Sequence, residues 1–223
     1  MFVFTVKPHV CQRIGHGGAS ALAPANTLSS FDMAREIGVD IVEFDIRCWR
    51  GELVLAHTRL DAPRPWNLRL HEALSYLAGP EFKEIELNVD VKQLGCESAL
   101  LDELRSAGLL SRTVICSQMA AVLDRVRALE PGARVGISVG GRVARLSRRW
   151  RDWREQVLTG LAARRWDALM AQHRLVDFRL LEDVVARSGL LYAWTVNERP
   201  AIDALRRLGV HGIATADPRL FTA

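Results

Sequence analysis

Cysteine is scarce in this sequence: Cys11, Cys48, Cys96 and Cys116 are spread over 223 positions, with no CxxC pair. Three of them lie in apolar, strand-like runs, the usual setting of a buried thiol, so neither a disulfide framework nor a zinc site is expected. A run of 18 apolar residues is also missing, which leaves no candidate transmembrane helix. The opening MFVFTVKPHVCQR has neither the basic start nor the long apolar segment of a secretory leader. A cytoplasmic location is therefore expected. Nor is the composition that of a disordered chain, since 49% hydrophobic and 25% charged residues are a globular balance. Internal repeats and low-complexity tracts are not evident. The glycines of Gly15-His16-Gly17-Gly18 fall short of a dinucleotide-binding GxGxxG, because the last glycine of that pattern is replaced by Ser20.

What is present is alternation. Short apolar runs at Val10–Gly15, Asp40–Ile46, Ile85–Val91, Thr113–Cys116, Arg134–Ser138, Ala168–Ala171, Leu191–Val196 and Gly212–Thr215 read as strands. Between them, Thr27–Ile37, Leu70–Leu77, Glu97–Ala107, Ala120–Leu129, Leu180–Arg187 and Arg199–Leu208 carry apolar residues at helical spacing. Eight strands alternating with helices in a chain of this length predict an α/β fold, a single (β/α)₈ barrel spanning 1–223 as one domain. A ninth run, Glu52–Ala56, follows the second strand too soon for a parallel crossover, which predicts an antiparallel hairpin. Folding about Arg50-Gly51 would return His57 to the side of Phe44, within reach of Glu43 and Asp45.

In a parallel barrel, polar residues at the carboxyl ends of the strands converge on one face. Those residues are His16, Glu43, Asp45, His57, Asp90, Lys92, Trp194 and Asn197. Glu43 and Asp45, two apart on a strand, point to the same side and suit a hard cation such as Mg²⁺ or Ca²⁺, with Asp90 as a third oxygen ligand. Carboxylates inside the apolar runs VDIVEFDI and IELNVDVK are costly unless they meet a cation or a close lysine, here Lys92. His16 and His57 form a pair suited to general acid and general base.

Charge is uneven. Arg142–Arg165 holds eight arginines against Asp152 and Glu155, mixed with Trp150 and Trp153 and followed by Trp166, and shows no clean helical pattern. Two expectations attach to it: peripheral contact with an anionic membrane, or a solvated helix over the barrel with its tryptophans buried. No nucleic-acid-binding motif is found, and no nucleic acid is expected as a partner.

The series His16-Gly17-Gly18, Pro24-Ala25-Asn26-Thr27, Glu43-Phe44-Asp45 and His57-Thr58 resembles the ordered motifs HRG, PENT, E-x-D and H-D of the glycerophosphodiester phosphodiesterase family. Asp90-Val91-Lys92, Trp194-Thr195-Val196-Asn197 and Gly209–Ile213 before Asp217-Pro218 extend the similarity over nearly the whole chain. The resemblance implies a metal-dependent phosphodiesterase on a (β/α)₈ barrel, with His16 and His57 catalytic and Glu43, Asp45 and Asp90 holding Mg²⁺ or Ca²⁺. It implies Lys92 at the phosphate, with Trp194 and Asn197 at the substrate. The implied reaction is hydrolysis of a glycerophosphodiester, or of a lysophospholipid, to a phosphate monoester and an alcohol through a cyclic phosphate. Four positions depart from the pattern: Gly17 stands for arginine, Ala25 for glutamate, Thr58 for aspartate and Asp90 for glutamate. They allow an alternative expectation, a degenerate barrel that binds a phosphorylated ligand without hydrolysing it.

Overall fold

The computed structural model describes residues 10–141 and 148–222. Residues 1–9, part of the stretch read above for a leader, and residues 142–147 of the basic segment lie outside them. Strands β1 (Gln12–Gly15), β2 (Ile41–Trp49), β4 (Glu86–Val91), β5 (Thr113–Ser117), β6 (Arg134–Val139), β7 (Ala168–Gln172), β8 (Leu190–Trp194) and β9 (Gly212–Thr215) pair in parallel. β1 pairs with both β9 and β2, so the eight close into a barrel. β3 (Glu52–Leu55) lies outside this circuit, antiparallel to β2, with Ile46 opposite Leu55 and Trp49 opposite Glu52. That pairing explains why β2 runs three residues past the predicted Ile46: its outer end is a hairpin arm beyond the barrel rim.

The helices are α1 (Leu28–Ile37), α2 (Leu70–Leu77), α3 (Glu97–Ser106), α4 (Ala120–Leu129), α5 (Arg148–Ala162), α6 (Phe178–Val185) and α7 (Arg199–Leu208). Local sequence sets their ends. Thr27 and Ser30 form a reciprocal capping box before α1, which stops at Gly38 with φ 87°; α7 has a proline in its first turn and stops at Gly209 with φ 93°. Two apolar layers result. Ile14, Ile41, Val114, Met170, Tyr192 and Ala214 belong to a cluster inside the barrel, while a larger core between sheet and helices includes Phe31, Phe44, Leu74, Leu100 and Leu104.

α5 occupies much of the basic segment, where no clean helix was predicted. Its inner face, Trp150, Val157, Gly160 and Leu161, is buried; the helical spacing is hidden in the sequence because a glycine fills one inward position and arginines separate the others. Trp166 is also buried, with Arg165 4.8 Å over its ring. Arg154 pairs with Asp183 and Arg165 with Asp124. The two buried tryptophans are thus committed to packing rather than offered to a membrane interface, the second of the two expectations. Among the described residues, no helix is long and apolar enough to cross a membrane.

Candidate active site

Strand register builds the site. The parallel pairing of β2 with β4 sets Glu43 beside Asn88 and Asp45 beside Asp90. Period-two alternation turns these residues into the barrel while Phe44 and Val89 face the outer core. Ligand oxygens of Glu43, Asp45 and Asp90 all lie within 4.8 Å of one another, and all three residues are buried. The Lys92 ammonium stands between two of them, 2.9 Å from Asp45 Oδ1 and 2.5 Å from Asp90 Oδ2.

These groups sit at the carboxyl ends of the strands around a cavity of about 240 Å³, whose lining includes His16, Glu43, His57, Asp90, Lys92 and Trp194. His57 returns from β3 to place Nδ1 3.1 Å from Asp45 Oδ2, as the hairpin geometry predicts. That bond leaves Nε2 as the nitrogen free to exchange a proton. His16 follows β1 directly, with its backbone N–H donated to the Thr215 carbonyl at 2.9 Å.

The reason for consecutive glycines after His16 is conformational. Gly17 has φ 59° and Gly18 φ 77°, and a Cβ on Gly18 would fall 2.5–2.6 Å from Ser30 atoms, including backbone. The turn folds back on β2: Gly17 N–H donates to the Glu43 carboxylate at 2.7 Å and Gly18 N–H to the Glu43 carbonyl at 3.0 Å. Two of the four departures meet here, since a Cβ on Gly17 would lie 3.1 Å from that of Ala25. The positions of the missing arginine and the missing glutamate are therefore neighbours, and their opposite charges are absent together.

Charge and burial compete at each group. Burial raises Glu43, and the nearby Asp45 carboxylate raises it further, well above the ordinary range. Burial raises Asp90 as well, despite Lys92. Asp45 feels the same burial, but hydrogen bonds from His57 and the charge of Lys92 outweigh it and hold its carboxyl low. Burial would lower Lys92; Asp90, Asp45 and Glu43 overcome it and keep the ammonium charged. His16 is lowered by burial, while the Asp45 hydrogen bond raises the half-exposed His57.

Three carboxyl groups around one ammonium are costly to ionise together without a further cation, and the oxygens Asp90 Oδ1 and Asn88 Oδ1 are buried without a hydrogen bond among the described residues. An all-oxygen donor set with unsatisfied lone pairs fits a hard divalent cation.

The remaining expectations divide. Trp194 lines the cavity, its ring against Gly140 and its indole N–H donated to the Met170 carbonyl at 2.9 Å. Asn197, expected at the substrate, is not among the lining residues. Its carboxamide oxygen accepts from the Thr215 hydroxyl at 3.2 Å and the Ala216 N–H at 3.0 Å, tying the chain after β8 to the end of β9. Asn26 was not singled out, yet its carboxamide donates to Asp45 Oδ2 at 3.1 Å and accepts the Asp45 N–H at 3.0 Å. Its signal was the asparagine of Pro24-Ala25-Asn26-Thr27, a residue type that tolerates the φ of 62° found there. Asn88 was also missed, although its spacing from Asp90 gave the same alternation signal.

Fold and site together define a class: a (β/α)₈ barrel with an acidic pocket, bordered by two histidines and a lysine, at the carboxyl ends of its strands. The chain belongs to the glycerophosphoryl diester phosphodiesterase family, whose model matches residues 16–61 and 70–220, a family of phosphoric diester hydrolases. YhdW of Bacillus subtilis is 25% identical over 238 residues, covering 92% of this chain and 94% of that protein. A glycerophosphodiester phosphodiesterase of Caldanaerobacter subterraneus is 24% identical over 241 residues, covering 92% and 93%. An Oleispira antarctica phosphodiesterase, solved with the product sn-glycerol-3-phosphate, superposes with a TM-score of 0.75 at 21% identity, covering 93% of this chain and 94% of that one.

Proposed function

We propose that this protein is a metal-dependent phosphodiesterase that hydrolyses small glycerophosphodiesters to glycerol phosphate and an alcohol. The observation that carries the proposal is the convergence of Glu43, Asp45 and Asp90 within 4.8 Å of one another, beside a cavity lined by Glu43, Asp90, both histidines and Lys92. Family membership and the product named with the Oleispira relative support the substrate class. A cavity of about 240 Å³ lies below the range of drug-sized pockets, ~300–1,000 Å³. That favours a group the size of glycerol phosphate over a lysophospholipid with its acyl chain inside.

Glu43, Asp45 and Asp90 would hold Mg²⁺ or Ca²⁺, which when bound supplies Lewis-acid polarisation of a phosphoryl oxygen and neutralises its charge. The rest falls to the chain itself. Lys92 offers a fixed ammonium to a phosphate oxygen. His16 and His57, at one cavity, supply the base that takes a proton from the neighbouring hydroxyl of the glycerol as it attacks phosphorus and the acid that protonates the departing alcohol; with the roles reversed, water then opens the cyclic phosphate to glycerol phosphate. Asp45 holds His57 in one tautomer, and Asn26 holds Asp45. Trp194 closes the apolar side of the cavity.

The test is alcohol release from a panel of glycerophosphodiesters and lysophospholipids with Mg²⁺, Ca²⁺ or chelator, comparing the wild type with His16→Ala and His57→Ala. Cation-dependent turnover that falls about 10²–10⁴-fold in the variants is expected. Metal-free turnover that survives His16→Ala would sink the proposal. Blank lanes with a fold stabilised by phosphate esters would favour the binding-only alternative.

A further inference from the structure

Beyond the catalytic cavity lies a second space that the chemistry above does not use. It is a groove of about 420 Å³ lined by Arg47, His57, Thr58, Arg59, Lys92 and Gln118, among others. His57, Lys92 and Gln118 also line the catalytic cavity, so the two spaces adjoin across the reacting groups. Strand alternation explains why Arg47 is there. It follows Asp45 by two residues on the same face of β2, on the stretch that passes the barrel rim into the hairpin. Its Nε donates to the His57 carbonyl at 3.1 Å, which anchors the guanidinium at the groove. Arg59 comes from the loop two residues after His57 and is exposed.

The cations of the two spaces differ in their commitments. Lys92 is engaged by Asp45 and Asp90. Among the described residues neither Arg47 nor Arg59 is ion-paired with a carboxylate, and the nearby Asp61 is taken up by Arg64 at 2.7 Å and by Thr58. Two guanidiniums without a carboxylate partner, Arg47 held only through its Nε, present forked donors matched to phosphate or carboxylate oxygens. With the cation and Lys92 taken up by the diester phosphate, a second acidic group on the substrate finds its free cationic partners on this side.

We propose that the Arg47–Arg59 groove is an anion subsite for the alcohol half of the substrate, selecting glycerophosphodiesters whose leaving alcohol carries a phosphate or carboxylate. The inference rests on the hydrolytic function proposed above. With the glycerol phosphate half in the enclosed cavity, the leaving oxygen points past His57 into the groove, and the acidic group of the alcohol meets the two arginines.

The experiment compares glycerophosphoglycerol, whose leaving alcohol is neutral, with the same diester bearing a terminal phosphate on the leaving glycerol. The readout is the ratio of their kcat/KM values in the wild type, Arg47→Gln and Arg59→Gln. Loss of a charged hydrogen bond predicts that the anionic-to-neutral ratio falls about tenfold or more in each variant. Because Arg59 is exposed on a loop, Arg59→Gln leaves the fold intact and carries the test if Arg47→Gln disturbs His57. A ratio unchanged by Arg59→Gln, or equal losses on both diesters, overturns the subsite. If neither diester is turned over, the hydrolytic proposal fails on its own, and calorimetric binding of the two compounds still decides the subsite. A tenfold weakening confined to the anionic diester in Arg59→Gln sustains it, and equal affinities for the two diesters in the wild type refute it.

Discussion

Asn26 offers a direct test of how the site is held, because one carboxamide makes two bonds to Asp45 and one of them shares Oδ2 with His57. Asn26→Ala removes a hydrogen bond to a carboxylate, about 1.5–3 kcal/mol, and a neutral one, about 0.5–1.5 kcal/mol. It also places alanine at φ 62°, a left-handed conformation costing roughly 1–2 kcal/mol for an ordinary residue. The sum is about 3–6.5 kcal/mol. Asn26→Gly loses the same bonds without the left-handed strain, so it should be milder by about 1–2 kcal/mol. Urea denaturation monitored by tryptophan fluorescence measures both, and about 3 kcal/mol corresponds to roughly 6–12 °C in Tm for a chain of this size. His57 should also lose orientation, with kcat falling more than KM rises. Two variants within 0.5 kcal/mol of wild type would show that the carboxamide is not gripping Asp45. Equal losses in alanine and glycine would refute the strain contribution.

Other outcomes follow from the same geometry. Mg²⁺ or Ca²⁺ at 100 times its dissociation constant should stabilise the fold by about 2.7 kcal/mol, roughly 5–11 °C. Differential scanning fluorimetry should show Asp90→Asn losing most of that shift. Gly18→Ala should destabilise by more than 2 kcal/mol, because its Cβ would meet the Ser30 backbone at 2.6 Å with φ at 77°; a wild-type melting curve would contradict the turn described. Burial pushes the Tyr192 hydroxyl up to about 12. An unfolded tyrosine ionises near 10, so between about pH 10 and 12 the unfolded chain binds fewer protons and stability falls as pH rises, by about 3 kcal/mol over the window. The urea midpoint of Tyr192→Phe should lack this part of the slope.

Much of the barrel was legible because its signals are local. Each strand is a short apolar run, each helix repeats its apolar face at three and four residues, and the hairpin could be inferred from a connection too short for a parallel crossover. The α5 helix was not legible: Gly160 lies on its inner face because the Trp166 ring occupies the space a side chain would need. That is a contact between residues six apart, not a pattern within the helix. Glu43, Asp45, Asp90, Lys92, His16 and His57 could be gathered in advance, since strand alternation and the hairpin alone bring them to one rim.

Asn26 and Asn197 show the limit of that reasoning. Both are asparagines in loops near the same rim, yet Asn26 grips Asp45 whereas Asn197 ties β8 to β9. Nothing in either tetrapeptide distinguishes the two. Sequence by itself determined which side chains alternate inward and at which strand ends they stand, because period and spacing are properties of the chain. Only the tertiary structure decided which of them share a hydrogen bond, which departures from the family pattern are neighbours, and that Arg47 and Arg59 open a cationic groove beside the acidic pocket. Those relations depend on barrel closure and on the register between β2 and β4, which bring together residues far apart along the chain.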